Sequence, residues 1–177
     1  MTLLGTVPDP EMPISIVDLG LVEDVRVEIA SNSDAHVRKA ASGDCANVTI
    51  DLLPTFIGCP ALDMIAGDIR AKVGKVAGVE TVNINWLFDP PWSVDRITPA
   101  GRESLKAHGV TVPERGHKLN VPGHKAPTAV TLRTSAIPCP FCGSSATHLD
   151  SPFGPTRCRT IYYCNACKNS FEHMKNI

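Results

Sequence analysis

The chain has 177 residues, of which 43% are hydrophobic and 20% are charged, and its formal net charge is −1. This composition is that of a globular protein, and the length suits one medium-sized domain or two small ones. Because 17 lysine and arginine residues stand against 18 acidic residues, the composition argues against a protein that mainly binds nucleic acid or an anionic membrane, both of which usually need a basic face.

The first half of the chain has the periodicity of a small α+β domain. Residues 9–19 predict a short helix with acidic residues at its start, and residues 22–29 alternate apolar and charged side chains like a half-buried strand. Residues 47–53 alternate in the same way, residues 60–78 carry apolar side chains at helical spacing, and residues 79–87 form a third alternating run. The order is therefore α-β-β-α-β, with helices packed on one sheet.

The remaining segments suggest how the chain is divided. The polar residues 30–46 predict a long hairpin loop, and Thr98-Pro99 has the residue types of an N-cap and a first helical position, for a helix that runs to about His108. Residues 109–128 are rich in Gly, Pro, Lys and His without periodicity, as in a linker. We expect three parts: a first domain at 1–108, a linker at 109–128 and a second domain at 129–177.

The second domain contains two C-x-x-C pairs. Cys139 and Cys142 form the first pair, and Cys164 and Cys167 form the second. A tetrahedral Zn²⁺ binds four thiolates, a two-residue spacer lets one tight turn supply two of them, and Gly143 permits the first turn. The spacing predicts a zinc ribbon with one structural zinc ion, whose binding would stabilise most of so small a module. The same four ligands also suit iron or an iron–sulfur cluster.

The number of cysteines and the pattern of the first residues predict the cellular compartment. Seven cysteines is an odd number, the first residues lack the pattern of a signal peptide, and no segment approaches the roughly 18 apolar residues of a membrane span. We therefore expect a cytoplasmic protein with reduced thiols and no membrane partner. Cys45, in the polar loop, is interpreted as incidental. Cys158 is interpreted as a packed strand cysteine, with a role as an additional metal ligand as the alternative.

Cys59 lies in "PTFIGCPALDMI", between a predicted strand and a predicted helix. Pro60 suits the first helical position, so Cys59 falls at the N-cap, where free backbone N–H groups and the helix dipole stabilise a thiolate. Gly58 leaves room for a metal or partner to approach, and Thr55 can donate a hydrogen bond. Free cysteine also packs as a small hydrophobe, so the residues alone support both a functional thiol and a core side chain.

Other candidate sites are weaker. Asp9, Glu11 and Asp18 lie near the first predicted helix, where a solvated acidic cap needs no function. The six histidines form no H-x3-H or H-E-x-x-H array, so a catalytic zinc is not indicated. The sequence also contains no Gly-rich phosphate loop and no nucleophile elbow, and an enzyme active site is the least supported interpretation.

Several stretches resemble a known family. "VPDPEMPISIVDLGLVEDVRV", "PTFIGCPALDMI" and "GVETVNINWLFDPPWSVDRIT" together resemble the SufT-like domain of iron–sulfur cluster assembly factors. With "CPFCGS" and "FGPTRCRTIYYCNACKNSFEHMK", nearly the whole chain resembles the PaaD family, which accompanies the multicomponent phenylacetyl-CoA epoxidase of phenylacetate degradation. The resemblance implies a small SufT-like domain followed by a zinc ribbon.

The resemblance also implies a role in maturation and not in catalysis. The protein would assist assembly of an iron–sulfur cluster or iron centre in other epoxidase subunits, especially the [2Fe–2S] reductase, with the iron–sulfur assembly machinery as a further partner. Cys59 matches the family's G-C-P cysteine, implied to handle iron or a cluster transiently, and Asp9, Glu11 and Asp18 match its acidic motif. The two C-x-x-C pairs match the ribbon ligands, and Cys158 matches the extra cysteine of the ribbon motif.

The sequence departs from the family pattern in three places. Arg96 stands where a second Trp is expected, a proline expected near Ser170 is missing, and the loop at 30–46 is long. These differences bear on the partner surface and on the substrate of the associated oxygenase.

A zinc-ribbon adaptor that binds protein or nucleic acid without delivering metal is the alternative function. Arg157, Arg159 and Lys168 supply local positive charge for such a role. The near-zero net charge weakens the nucleic-acid version, which would bind in a strongly salt-dependent way.

Overall fold

The computed structural model describes residues 1–30, 45–114 and 136–175. The chain divides into two compact units, Met1–Ser104 and Leu105–Asn176. Residues 31–44 and 115–135 lie outside the described residues; they include most of the predicted hairpin loop, most of the predicted linker and the first residues of the predicted second domain. Within the described ranges, no helix is both long enough and apolar enough to cross a membrane.

The first unit contains a three-stranded sheet whose strands agree with the predicted ones. The strands are β1 (Val22–Ala30), β2 (Cys45–Leu52) and β3 (Val79–Trp86). Their order is β1-β2-β3, with β1 antiparallel and β3 parallel to β2. Val25, Ile50 and Ile84 are neighbours across the sheet, so the period-2 pattern of each strand places its apolar residues on one face. The α+β class is confirmed.

Helix α1 (Ala61–Val73) provides the crossover between the parallel strands β2 and β3, as parallel pairing requires. It buries Ile65, Ala66, Ile69 and Val73, which recur at helical spacing on one side of the helix. The helix ends earlier than the predicted residue 78, at the C-cap Gly74. Glycine has a low helix propensity and is a common helix terminator.

The predicted helix at residues 9–19 does not form. A short 3-10 helix at Leu4–Thr6 is followed by turns and by an isolated bridge between Pro8 and Ser15. Pro10 and Pro13 disfavour helical backbone at the residues before them. Residues 4–21 still contribute to the core, through seven buried apolar side chains: Leu4, Val7, Met12, Ile14, Ile16, Leu19 and Leu21.

Helix α2 (Pro99–Ala107) begins where the sequence predicts. The Gly101 backbone N–H donates to Thr98 Oγ1 at 3.0 Å, so Thr98 is the N-cap and satisfies one of the free donors at the helix start. A 3-10 helix at Val94–Arg96 precedes it.

The second unit contains a four-stranded sheet. Its strands are β4 (Val110–Thr111), β5 (Thr147–Ser151), β6 (Arg159–Cys164) and β7 (Ser170–Met174), in the order β4-β7-β6-β5. The two predicted strands that flank the second cysteine pair are thus β6 and β7. Residues 110–111, which fall in the predicted linker, instead pair with β7 in parallel. The Glu172 N–H donates to the Gly109 carbonyl at 2.9 Å, which anchors this short strand.

Candidate metal centre and Cys59 loop

The two C-x-x-C pairs fold into two similar turns. After the first pair, the Gly143 N–H donates to the Cys139 carbonyl at 2.9 Å, and after the second the Lys168 N–H donates to the Cys164 carbonyl at 2.9 Å. Gly143 and Lys168 both have positive φ, at 71° and 63°. Each turn therefore closes through a residue in the left-handed region, which glycine adopts without strain and lysine rarely adopts.

The four sulfur atoms have the spacing of a tetrahedral site. Cys139 Sγ lies 3.6 Å from Cys167 Sγ, and Cys142 Sγ lies 3.6 Å from Cys164 Sγ. All four lie within 4.8 Å of one another. Zn–S bonds of about 2.3 Å give a tetrahedral edge of about 3.8 Å, so the sulfur atoms already approach the dimensions of a bound ion. In the part of the chain that the structure describes, no other group of three or more His, Cys, Asp or Glu side chains meets this criterion.

The electrostatics of the group also favour a cation. Hydrogen bonds from the backbone and side chain of Asn169 lower the pKa of Cys167 to about 6. The Ser144 amide likewise favours the Cys142 thiolate, but burial and the three other sulfurs outweigh it and raise the pKa of Cys142 to about 12. Four adjacent thiols cannot all ionise without a positive charge between them. The donor set thus fits a thiophilic divalent ion, which would supply that charge.

An aromatic cluster supports the ligands from one side. Cys139 and Cys164 are buried together with Phe171, and Ile137 and Tyr162 pack against them. The rings of Tyr162 and Phe171 stack with centroids 5.7 Å apart. These side chains shield the buried sulfurs from water and fix strands β6 and β7 on either side of the second pair.

Cys158 is not part of the four-cysteine group. It is buried, and its Sγ lies 3.1 Å from Thr156 Oγ1. Thr156 Oγ1 also accepts a hydrogen bond from Arg159 Nε at 2.8 Å, and the Gly154 N–H donates to the Arg159 carbonyl at 3.0 Å. The "FGPTRC" motif therefore forms a closed turn ahead of β6, in which Cys158 has the surroundings of a packed side chain.

Cys59 lies in the loop between β2 and α1. The helix begins at Ala61 with Pro60 as its N-cap, one residue later than predicted, and the Leu62 N–H donates to the Cys59 carbonyl at 3.3 Å. Gly58 has φ +80°, and a side chain there would meet no atom within 4 Å. The half-buried Cys59 thus sits directly before the first turn of α1, beside an exposed glycine that leaves an open approach.

Beside this loop is an apolar pocket that the sequence did not reveal. Its volume is about 220 Å³, and it is lined mainly by Thr55, Phe56, Ile57, Leu87, Phe88 and Trp92. Thr55, singled out as a donor, is buried in this wall. Two segments about 30 residues apart in the sequence form the pocket, so no local motif predicts it. The apolar residues in both loops are the feature of the sequence that could have indicated it.

Two of the three candidate acids, Asp9 and Asp18, accept hydrogen bonds through their carboxylates. Asp9 Oδ1 accepts from the Glu11 N–H at 2.9 Å. Asp18 Oδ2 accepts from Ser15 Oγ at 2.9 Å, and Asp18 Oδ1 accepts from Thr98 Oγ1 at 2.7 Å. These acids do not join Cys59 in a group of three or more side chains with metal-binding spacing, as far as the described residues extend.

Two family models match separate parts of the chain. The model described as the PaaD zinc beta ribbon domain matches residues 124–175 and includes all four clustered cysteines. The model described as an iron-sulfur cluster assembly protein matches residues 1–86 and includes Cys59.

Similar proteins match either nearly the whole chain or about half of it. A protein of Escherichia coli (strain K12), named as the D component of 1,2-phenylacetyl-CoA epoxidase, is 33% identical over 99% of this chain and 90% of its own length. An Fe-S protein maturation auxiliary factor of Porphyromonas gingivalis is 36% identical over 54% of this chain and 77% of its own length. The auxiliary factor SufT of Staphylococcus aureus is 29% identical over 55% of this chain and 93% of its own length.

Proposed function

Because this chain belongs to the PaaD family of phenylacetyl-CoA epoxidase components, we propose that it helps to assemble an iron–sulfur cluster or iron centre in a partner subunit of such an epoxidase. Cys59 is the thiol that binds the iron or cluster in transit. The N-terminal unit resembles proteins that are named Fe-S protein maturation auxiliary factors. The recipient that we favour is a [2Fe–2S] reductase subunit, and iron–sulfur assembly proteins are the donors.

The position of Cys59 carries this proposal. The thiol lies directly before a 13-residue helix, where the partial positive charge of the helix start favours a thiolate. The neighbouring Gly58 is exposed and offers no steric barrier. A cysteine that must first hold and then release a metal has to be reachable from outside, and a single thiol binds less tightly than the closed set of four in the ribbon.

In this proposal, Asp9 and Asp18 of the acidic motif hold the N-terminal segment in place. The Asp18 carboxylate links Ser15 to Thr98, and Asp9 caps the turn that contains Glu11. These bonds fix the N-terminal segment, whose apolar residues form much of the core. Glu11 is half-buried, and it is the acid that we propose takes part in handling iron.

The zinc ribbon has a structural role. Zinc, when bound, supplies the charge that lets all four thiols ionise, and Cys139, Cys142, Cys164 and Cys167 are its ligands. A Cys59 thiol that binds iron has to stay reduced, so we place the activity in the cytoplasm.

The test is to produce the epoxidase subunits together with the wild-type chain, with a Cys59→Ala variant, or without the chain. Iron and acid-labile sulfide are then measured in each purified partner subunit. We expect the reductase to lose iron and sulfide in equal proportion in the last two samples. Equal metal content in all three samples would refute the proposal, and a loss confined to a cluster-free subunit would instead indicate delivery of iron alone.

A further inference from the structure

The two cysteine turns of the ribbon differ at the residue that follows each C-x-x-C pair. This residue is Gly143 in the first turn and Lys168 in the second, and both have positive φ, at 71° and 63°. Glycine adopts this conformation freely, but in lysine the Cβ atom comes too close to the carbonyl oxygen that follows it. The second turn therefore carries a conformational cost that the first turn avoids.

Asn169 contacts both cysteines of the second turn. Its backbone carbonyl accepts the Cys164 N–H at 3.0 Å, and its side-chain Nδ2 donates to the Cys167 carbonyl at 3.3 Å. Its backbone and side chain also hydrogen-bond to the Cys167 sulfur, and the two N–H donors of a side-chain amide can serve both acceptors. Asn169 is thus bonded to the backbone of both ligands and to one of the clustered sulfur atoms.

Ser144 occupies the equivalent position in the first turn. Its backbone makes the same contacts, since its carbonyl accepts the Cys139 N–H at 3.0 Å and its amide hydrogen-bonds to the Cys142 sulfur. Its side chain, however, is bonded outside the pair, where Oγ accepts the Ala146 N–H at 3.1 Å. The bond from a side chain to a ligand is therefore an addition of the second turn, which is the turn that contains the strained lysine.

Hydrogen bonds of this kind act on a metal site in two ways. They fix the orientation of a ligand before the metal binds, and N–H···S bonds withdraw negative charge from a thiolate, so that several thiolates can share one divalent ion. Mutating groups that support ligands in this way commonly weakens metal binding by roughly 10–100-fold. Asn169 is exposed, so water competes for its bonds and the lower end of this range applies.

We propose that Asn169 is a positioning residue of the metal centre, whose side chain holds Cys167 in place as a ligand and offsets the strain at Lys168. Asn169 acts through Cys167 and does not itself bind the metal. This inference rests on the proposed zinc site of the ribbon, and it is independent of the maturation role proposed for Cys59.

The zinc affinity of the full reduced chain tests the proposal, measured by competition with a chromophoric chelator. We expect Asn169→Ala to weaken zinc binding about tenfold. Asn169→Asp keeps the shape of the side chain but cannot donate, and its charge repels the thiolates, so it should weaken binding at least as much. Ser144→Ala, the matched control, loses only the bond outside its pair and should stay within about twofold of wild type.

Cobalt binding supplies a readout that a loss of stability alone would not move. Co²⁺ binds at thiolate sites in place of Zn²⁺ and gives an absorption band from charge transfer between sulfur and metal. An N–H···S hydrogen bond stabilises the sulfur electrons, so its removal in Asn169→Ala should move this band to longer wavelength. The band should keep its position in Ser144→Ala.

A double variant tests the link to Lys168. Lys168→Gly removes the strained Cβ, so the second turn needs less support from Asn169. We expect Asn169→Ala to weaken zinc binding about tenfold in the natural background and only about threefold in the Lys168→Gly chain. An equal loss in both backgrounds would overturn this link.

An Asn169→Ala chain with the zinc affinity and the cobalt band of wild type would overturn the proposal. An Asn169→Asp chain that binds zinc as tightly as wild type would also overturn it, because shape and not donation would then matter. Weaker zinc binding with an unmoved cobalt band would leave Asn169 only a general stabilising role and would count against the proposal in the same way. A wild-type chain that binds neither metal would refute the proposed zinc site itself, so the two failures are distinguishable.

Discussion

Thr98 Oγ1 donates a 2.7 Å hydrogen bond to Asp18 Oδ1 while the same oxygen accepts the Gly101 N–H at the start of α2. The Thr98 N–H also donates to the Asp18 carbonyl at 2.9 Å. One residue pair thus connects the turn before β1 to the N-terminus of a helix 80 positions later in the chain. Asp18 belongs to the acidic motif that the resemblance links to iron handling. These bonds give it a structural role instead.

Replacing Asp18 with Ala should destabilise the first unit. The side chain loses hydrogen bonds from Ser15 and Thr98, and bonds to a charged group contribute about 1.5–3 kcal/mol each. Because Asp18 is only half-buried, water offsets part of this loss, and we expect the free energy of unfolding to fall by about 2–4 kcal/mol, measured by denaturant titration. Asp68→Ala, on the exposed side of α1, is the control and should change it by less than about 0.5 kcal/mol. An Asp18→Ala protein as stable as wild type would contradict the structural role.

Removing one ribbon ligand should release the metal and unfold the second unit. Cys142→Ser leaves three thiolates, and structural zinc sites in small modules contribute about 10–16 kcal/mol of apparent binding energy. We expect amide exchange in β6 and β7 to become fast, while β1 to β3 stay protected. Metal content is measured by mass spectrometry and protection by hydrogen exchange.

Cys158→Ser is the matched control for this variant, because Cys158 lies in the same unit but outside the cysteine group. It should keep one metal ion per chain and a protected ribbon. Metal loss in Cys158→Ser would identify this residue as a further ligand, and a metal-free wild type with a protected ribbon would contradict the role of the metal.

The second unit should lose stability as the pH falls from about 6.5 to about 4. Burial lowers the pKa of His173 to about 4, and its Nδ1 lies 2.9 Å from Thr111 Oγ1. An unfolded histidine has a pKa near 6.5, so between these values the unfolded state binds the extra proton. The free energy of unfolding is highest at pH values above the pKa of the unfolded state. It falls by up to about 3 kcal/mol as the pH approaches the pKa of the folded state.

Denaturant unfolding of His173→Gln at about pH 7.5 and about pH 5 checks this effect. The variant should show a smaller loss of stability than wild type between the two conditions. His148→Gln, at an exposed position of β5, should behave like wild type. Metal release at low pH affects all three proteins, so the difference between them isolates His173; identical pH dependence in all three would refute the assignment.

Cys59→Ser should separate function from folding. The residue is half-buried in a loop, so we expect a stability change below about 1 kcal/mol. Growth on phenylacetate should fall to the level of a strain that lacks the protein, because serine cannot replace a thiolate in binding iron. Cys45→Ser, at the exposed start of β2, should support normal growth. Normal growth of the Cys59→Ser strain would rule out transfer through this thiol.

The local parts of the fold could be predicted, and the non-local parts could not. Strands β1 to β3 and helix α1 follow from periodicity, because each element buries one face and the pattern repeats within a few residues. Strand β4 has two residues and forms by pairing with β7, about 60 residues away, so it has no pattern of its own. The helix predicted at residues 9–19 was wrong because Pro10 and Pro13 restrict the backbone before them.

By itself, the sequence determined the four ribbon cysteines, the candidate thiol Cys59 and the N-cap Thr98, because each depends on residue type and short spacing. Only the tertiary structure decided that the four sulfurs meet within 4.8 Å, that Asp18 bonds to Thr98, and that an apolar pocket adjoins the loop of Cys59. The physical reason is distance along the chain: these relationships join residues that approach one another only after the sheets and helices have packed.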